Sequence, residues 1–257
     1  MPHRKIRAKA RRARKAGSKL HLALAQSIGE GILNGTYAPG TLLPNEAEWS
    51  AVFGASRTAV REAIKTLNGK GLLVSRPKIG SRVVAREHWN LLDRDVLAWH
   101  CAAMDRMSLL QSIQEVRRIL EPGAAALAAT RRSEAQLRRM AEALDGMRQA
   151  QSADATVAPD VEFHLALLHA ANNDLLMPFG IIIEQALNQM FAYTSRHHPR
   201  PRVVIPLHEA VYDAVARADP AAASRAMLDI LNDTDAVVAE TAEARPAGTT
   251  SGKDRDI

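Results

Sequence analysis

Two side-chain spacings in this chain are suited to chemistry. The first is Arg57 and Arg61, four residues apart, with Thr58 and Lys65 nearby. Stepping 100° per residue from Arg57, a helix puts Arg61 at about 40°, Lys65 at about 80° and Thr58 at about 100°. Ala63, Leu67, Val60 and Ile64 fall between about 240° and 340°. One arc is basic and hydroxylic, and a separate arc is apolar. Arginines so placed in the first turns of a helix reach base edges in a major groove, where a guanidinium pairs with guanine O6 and N7. The plainer alternative is a solvated helix face, with Arg61 beside Glu62.

The second spacing is Asp160 and His164, which share a helix face bordered by Leu167 and Leu168. An inward Asp–His pair is either a pair of metal ligands or a hydrogen-bonded core pair, with Asp160 favoured in the first helical turn after Pro159. His208, on a stripe with Val211, Tyr212 and Val215, is a third ligand or simply core. Arg117 shares one helix side with Glu115 and Glu121. At the end of a pocket it would suit a carboxylate; on a surface it would be an ordinary ion pair.

Positioning these groups requires two kinds of architecture. A helix over about 20–34 is stopped by Gly35, and Tyr37-Ala38-Pro39-Gly40 is a turn. A short helix follows over about 45–53, then the break Gly54-Ala55 and a third helix capped by Ser56 that ends near 69–71. Leu72–Ser75 and Arg82–Ala85 read as strands around a turn at Pro77–Ser81. That order is a winged helix-turn-helix, with Arg76, Lys78 and Arg82 around Gly80 at a basic hairpin tip suited to phosphates or a minor groove. From Leu91 onward the pattern is helical throughout: 91–104, 108–130, 133–150, 156–172, 175–195, 203–218 and 220–241. The expected organisation is a basic disordered arm at 1–19, a DNA-binding domain at 20–86, an interdomain linker or helix at 87–100, an all-helical sensing domain at 101–243, and a polar tail at 244–257.

Charge agrees with this division. The chain of 257 residues carries a net charge of +6. Residues 1–19 hold nine Lys/Arg and no acids, residues 20–88 eight Lys/Arg against five acids, and the remainder is acidic. The N-terminal third is therefore where a polyanion would bind. Aromatic residues make up 4%, which argues against base-stacking modes. No apolar run is long enough for a membrane span. One cysteine, Cys101, excludes an internal disulfide and fits a cytoplasmic location.

Leu43-Pro44-Asn45-Glu46, Ala55 through Ile64, Leu67, Gly71-Leu72-Leu73 and Gly80 resemble the GntR family of bacterial transcription regulators. The resemblance covers roughly residues 20–86. It implies that Arg57 and Arg61 read bases, that Thr58 contacts backbone, and that the wing around Gly80 enters the minor groove; Ser56, Lys65 and Lys78 join this candidate surface. Ala47 stands where many FadR-type members have Arg, so a contact usual in that branch is missing. Glu115-Val116-Arg117 through Glu121, Asp160-x-x-x-His164, Leu167, Ala170, Asn173, His208 and Asp219 resemble the FCD ligand domain of FadR-type regulators.

The second resemblance implies an antiparallel bundle of six or seven helices, so the expected fold is mainly α. It also implies a divalent, zinc-like metal held by an Asp and three His, and a bound carboxylate. Asp160, His164 and His208 match the metal set, but Ile230 stands where the last His is expected and no His follows His208. The ligand candidates are Arg117, Asn173 and His208, with Met190 to His198 at the pocket mouth. The segment Trp89 to Trp99 is similar to the interdomain segment of galactonate-responsive members. It implies a homodimeric repressor of sugar-acid catabolism, released from double-stranded operator DNA by D-galactonate. The same architecture also suits a regulator responding to another small carboxylate through a bound metal. Two rivals are a metal-dependent hydrolase built on Asp160, His164 and His208, which lacks a clearly placed acid or base, and a nonspecific DNA binder driven by the basic arm.

Overall fold

The computed structural model describes residues 20–194 and 201–243. The basic arm, the loop carrying His197 and His198, and the tail at 244–257 lie outside the described residues. The chain forms two compact units that part between Leu109 and Leu110.

The first unit begins with α1, residues 20–33, which stops at Gly35, a left-handed residue at φ 85°. Helix α2 (Glu46–Phe53) starts at a reciprocal cap. The Asn45 side chain accepts from the backbone N–H groups of Ala47 and Glu48, and Glu48 accepts from that of Asn45. Gly54 at φ 59° ends α2, and Ser56 accepts from Ala59 N–H to start α3 (Arg57–Gly69). The apolar arc of α3 is buried through Val60, Ala63 and Leu67 against Ile28, Ile32 and Trp49.

Strands β1 (Leu73–Arg76) and β2 (Gly80–Val83) pair antiparallel, Leu73 opposite Val83 and Arg76 opposite Gly80. The second strand starts two residues before its expected place at Arg82. The reason is a tight turn: Ile79 N–H donates to Arg76 O, Pro77 supplies the first corner and Lys78 takes a left-handed φ of 64° at the second. Pairing therefore resumes at Gly80 itself. After a short 3₁₀ turn (Arg86–His88), α4 (Arg94–Ala103) is capped by Asp93, whose carboxylate also receives Lys70 Nζ at 2.7 Å. Segment 87–100, expected as an interdomain link, thus packs into the first unit, with Cys101 buried as a free thiol.

The second unit is a helical bundle. Helix α5 (Arg106–Arg131) runs across the boundary, and α6 (Glu134–Gln149), α7 (Ala153–Ala170), α8 (Gly180–Thr194), α9 (Pro201–Ala216) and α10 (Pro220–Glu243) follow. Helices α6, α7, α8, α10 and α9 contact one another in a closed ring. The α5 face that joins their core is Ala125, Ala128 and Ala129, small residues that permit close approach. Gln114 Nε2 donates to Leu231 O and Asp235 Oδ1, tying α5 to α10. One expectation about proline is corrected. Pro159 lies inside α7 rather than at its start, because Ser152 caps the helix earlier. Asp160 is therefore a mid-helix residue, and the helix-start account of it fails. Among the described residues no helix is long and apolar enough to cross a membrane.

Gly29 sits where α1 meets Trp99: a Cβ there would stand 2.4 Å from Trp99 Cζ3. Ala gains up to about 1 kcal/mol over Gly in a helix, whereas overpacking costs about 1–3 kcal/mol. Gly29→Ala should therefore destabilise the protein in chemical denaturation. Gly123→Ala, a position with open space around it in α5, should stabilise it by up to about 1 kcal/mol. Stabilisation by Gly29→Ala would contradict the packing described for Trp99.

Candidate functional site

Two surfaces hold the chemically capable residues, one in each unit. In the first, the outer face of α3 exposes Arg57, Thr58, Arg61 and Lys65, while Ile64 is half-buried. A groove of about 550 Å³ runs between α3 and the hairpin, bordered by Arg61, Lys65, Asn68, Arg76 and Gly80. The wing is pinned to α3 by hydrogen bonds: Asn68 Nδ2 lies 2.9 Å from Ser75 Oγ, which lies 2.7 Å from Ser81 Oγ. Lys78 and Gly80 are exposed at and beside the hairpin turn. Ser56 is exposed, with its hydroxyl oxygen engaged as the α3 cap. Arg82, expected with the free basic tip, instead donates to Gly40 O.

Arg61 has a partner that helical periodicity does not reveal. Its Nε and Nη2 donate to the two carboxylate oxygens of Glu46, at 2.8 and 2.7 Å. That hydrogen bond is the main reason the Glu46 carboxyl lies below its usual range; the charge of Arg57 adds to it.

In the second unit, Asp160 and His164 on α7, His208 on α9, and Arg117 and Glu121 on α5 meet in the interior. Arg117 is 1% exposed and Glu121 2%, with Arg117 Nε 2.7 Å from Glu121 Oε1. The surface ion pair expected of Arg117 is thus a buried one. Glu115 lies on the exposed side of α5 and does not join it, because two residues turn the helix by about 200° whereas four turn it by about 40°. Asn173 is not brought to this site either. It lies beyond the end of α7, where its side chain accepts from Leu175 N–H; the six helical residues after His164 already carry the chain about 9 Å away.

The orientation of the two imidazoles decides what the cluster can do. Glu121 Oε2 stands 2.6 Å from His164 Nδ1, and Val204 O stands 2.7 Å from His208 Nδ1. The carbonyl against His208 Nδ1 leaves its Nε2 turned inward, and His164 Nδ1 stands beside the Glu121 carboxylate without a formed hydrogen bond. The Nε2 atoms of the two rings face each other at 3.4 Å. Asp160 Oδ1 is 3.1 Å from that of His208, and Asp160 Oδ2 is buried without a hydrogen-bond partner. Asp160, His164 and His208 can each offer one ligand atom, all within 4.8 Å of one another. Two converging Nε2 atoms and an orphaned carboxylate oxygen fit a divalent ion with three protein ligands and open positions. Ile230 lines the same cavity where a further His is expected.

The cavity beside this cluster measures about 90 Å³ and is also lined by Leu187, Met190, Phe191, Val204 and Val237, with Asp233 and Thr234 on α10. Sequence periodicity offered no signal for Asp233 and Thr234. Glu121 was visible as the i+4 neighbour of Arg117, but its contact with His164 was not.

A winged helix-turn-helix together with a helical bundle that holds a buried Asp–His cluster beside a cavity defines a ligand-responsive DNA-binding regulator. Residues 20–83 match the model of bacterial regulatory proteins of the gntR family, and residues 112–233 match the FCD domain. The chain belongs to the GntR family and carries an FCD domain, so it is a transcription regulator and not an enzyme. It is 31% identical to the uncharacterized HTH-type transcriptional regulator YieP of Escherichia coli (strain K12) over 223 residues, 86% of this chain and 96% of that one. It is also 31% identical to the galactonate operon transcriptional repressor of the same organism over 210 residues, 80% of this chain and 90% of that one. Among solved structures it shares its fold with Lar, which controls expression of the Listeria monocytogenes agr system, at a TM-score of 0.59 and 18% identity over 89% of this chain and 97% of that one.

Burial alone would raise the Glu121 carboxyl, but the neighbouring charges of Arg117 and His164 more than reverse this and hold it at about 2, against an ordinary 4.5. As pH falls, the unfolded chain takes up this proton first. The stability Glu121 contributes is complete above about pH 4.5 and is lost toward pH 2. In metal-stripped protein, Glu121→Gln should lower the denaturation midpoint at neutral pH and flatten its fall between those pH values. An unchanged acid slope would show that Glu121 is not the linked group.

Proposed function

We propose that the protein is a homodimeric repressor that leaves its operator when a small carboxylate enters the cavity of the helical unit. The observation that carries this reading is the convergence of Asp160, His164 and His208 beside Arg117 in one buried cavity. Asp160, His164 and His208 would hold a zinc-like ion, which when bound supplies a Lewis-acid position for a carboxylate oxygen. Arg117 adds fixed positive charge at the cavity wall, and His208 borders both the metal position and the ligand.

In the first unit, Arg57 and Arg61 read guanines, Thr58 and Lys65 contact backbone, and Lys78 and Gly80 carry the wing to the minor groove. A dimer would set two such helices on a short palindrome. Segment 87–100 transmits the effector signal. The carboxylate that caps α4 also holds Lys70, just past the end of α3, so a shift of α4 pulls on the reading helix. Releasing DNA about 100-fold requires the effector to distinguish the two states by about 2.7 kcal/mol. Lys70→Ala should preserve operator affinity within a few-fold while reducing effector-driven release; a full response in this variant would sink that route.

D-galactonate is the leading effector, supported by the similarity to the galactonate operon repressor. A second reading, a shorter and less hydroxylated carboxylate, is favoured by the cavity itself. A hexonate carries a hydroxyl on every carbon beyond its carboxylate, whereas the described lining past the acidic and histidine cluster is largely Leu187, Met190, Phe191, Val204, Ile230 and Val237.

The test is fluorescence anisotropy on DNA from upstream of the protein's own gene, at fixed salt, with D-galactonate or short 2-hydroxy acids, each with zinc or with chelator. Tight binding released by galactonate supports the first effector, and release only by the short acids supports the second. Release indifferent to zinc and chelator would remove the metal from the proposal. The double variant Arg57→Ala/Arg61→Ala should lose specific binding altogether; unchanged affinity would refute the assignment of α3.

A further inference from the structure

Within Pro44-Asn45-Glu46, the proposed function leaves Glu46 without a task, yet it makes the most specific contact on the DNA-reading face. Both of its oxygens accept from Arg61, through Nε and Nη2. That geometry engages one edge of the guanidinium. Nη1 and the outer hydrogen of Nη2 form the other edge, which remains directed away from Glu46 and has the fork that matches guanine O6 and N7.

Glu46 is itself well placed to act as a support. It lies in the first turn of α2, whose backbone is locked by the reciprocal Asn45–Glu48 cap. The pair is exposed, the Arg61 side chain at 66% and that of Glu46 at 38%. An ion pair so exposed adds little to stability. What it does is restrict a long side chain that would otherwise sample many rotamers before meeting a base. A carboxylate on a phosphate-facing surface also repels DNA, so it lowers sequence-blind affinity.

We propose that Glu46 is a positioning residue for base reading: it holds Arg61 side-on so that the free edge of the guanidinium meets one guanine. It therefore sets specificity at a single base pair rather than overall affinity. This rests on the reading of Arg61 as a base-contacting residue.

The probes are a duplex selected by the wild-type protein from a random-sequence library, its single base-pair variants, and an unrelated duplex of equal length. Arg61→Ala first identifies the base pair at which preference is lost. Glu46→Ala should then weaken binding to the selected duplex roughly tenfold, with the loss confined to that base pair. Binding to the unrelated duplex should hold or rise. Glu46→Gln, which keeps one acceptor oxygen, should fall between.

Full retention of the preference in Glu46→Ala would overturn the proposal. So would tighter specific binding, which would make Glu46 a latch competing with DNA. Equal weakening at every position with a lowered melting temperature would mean a structural role only, and would overturn it too. If Arg61→Ala changes no base preference, the assignment of α3 fails, and this inference fails with it for that separate reason.

Discussion

Arg117 stands 1% exposed inside the helical unit, and a guanidinium cannot shed its charge there. An unpaired buried charge is costly enough that the surrounding residues must answer it. Glu121, one turn along the same helix, does so and is thereby kept ionised. Its second oxygen stands against His164 Nδ1, which turns the other ring nitrogen toward His208 and Asp160. The orientation of the His164 ring therefore begins with a charge that has no other way to be accommodated. The helices of the ring contribute the walls, and the alanine face of α5 lets them close around it.

The DNA-reading unit is governed by local hydrogen bonding rather than by buried charge. Two capped helix starts, at Asn45 and Ser56, set where α2 and α3 begin. They thereby set which residues stand in the first turns facing outward. The Asn68–Ser75–Ser81 contacts fix the wing against the same helix. Arg61 and Glu46 are fifteen residues apart and meet only because the Gly54-Ala55-Ser56 turn brings the start of α2 beside α3. Such a surface is exposed and solvated, so its energetic worth lies in orientation for DNA and little in holding the fold.

At Ile230 the cavity differs from what the resemblance to FCD domains implies. Ile230, where a further His is expected, is buried against the core of the unit while lining the cavity. An apolar side chain there packs α10 into the core and offers no ligand atom beside Asp160, His164 and His208. One turn on, Asp233 and Thr234 bring the polar groups that α10 contributes to the lining. The site is thus open on the α10 side in its chemistry, though not in its packing.

Much of this was legible without a structure where the cause is local. Helical periodicity separated the basic and apolar arcs of α3, cap residues marked its start, and the i,i+4 spacing put Asp160 and His164 on one face. Local spacing also misplaced several features. It placed Pro159 at a helix start, although Ser152 caps that helix earlier and Pro159 packs against Gly146 of α6. It put β2 two residues late, because the turn depends on Lys78 adopting a left-handed backbone that its residue type does not advertise. It grouped Glu115 with Arg117, and the family resemblance drew Asn173 toward the site. The residue types and their order determined that one helix presents a basic face and that another unit can gather an Asp and two His. Only the tertiary structure decided which charges are buried and how His164 is turned, because its ring meets Glu121 and His208, each more than forty residues away.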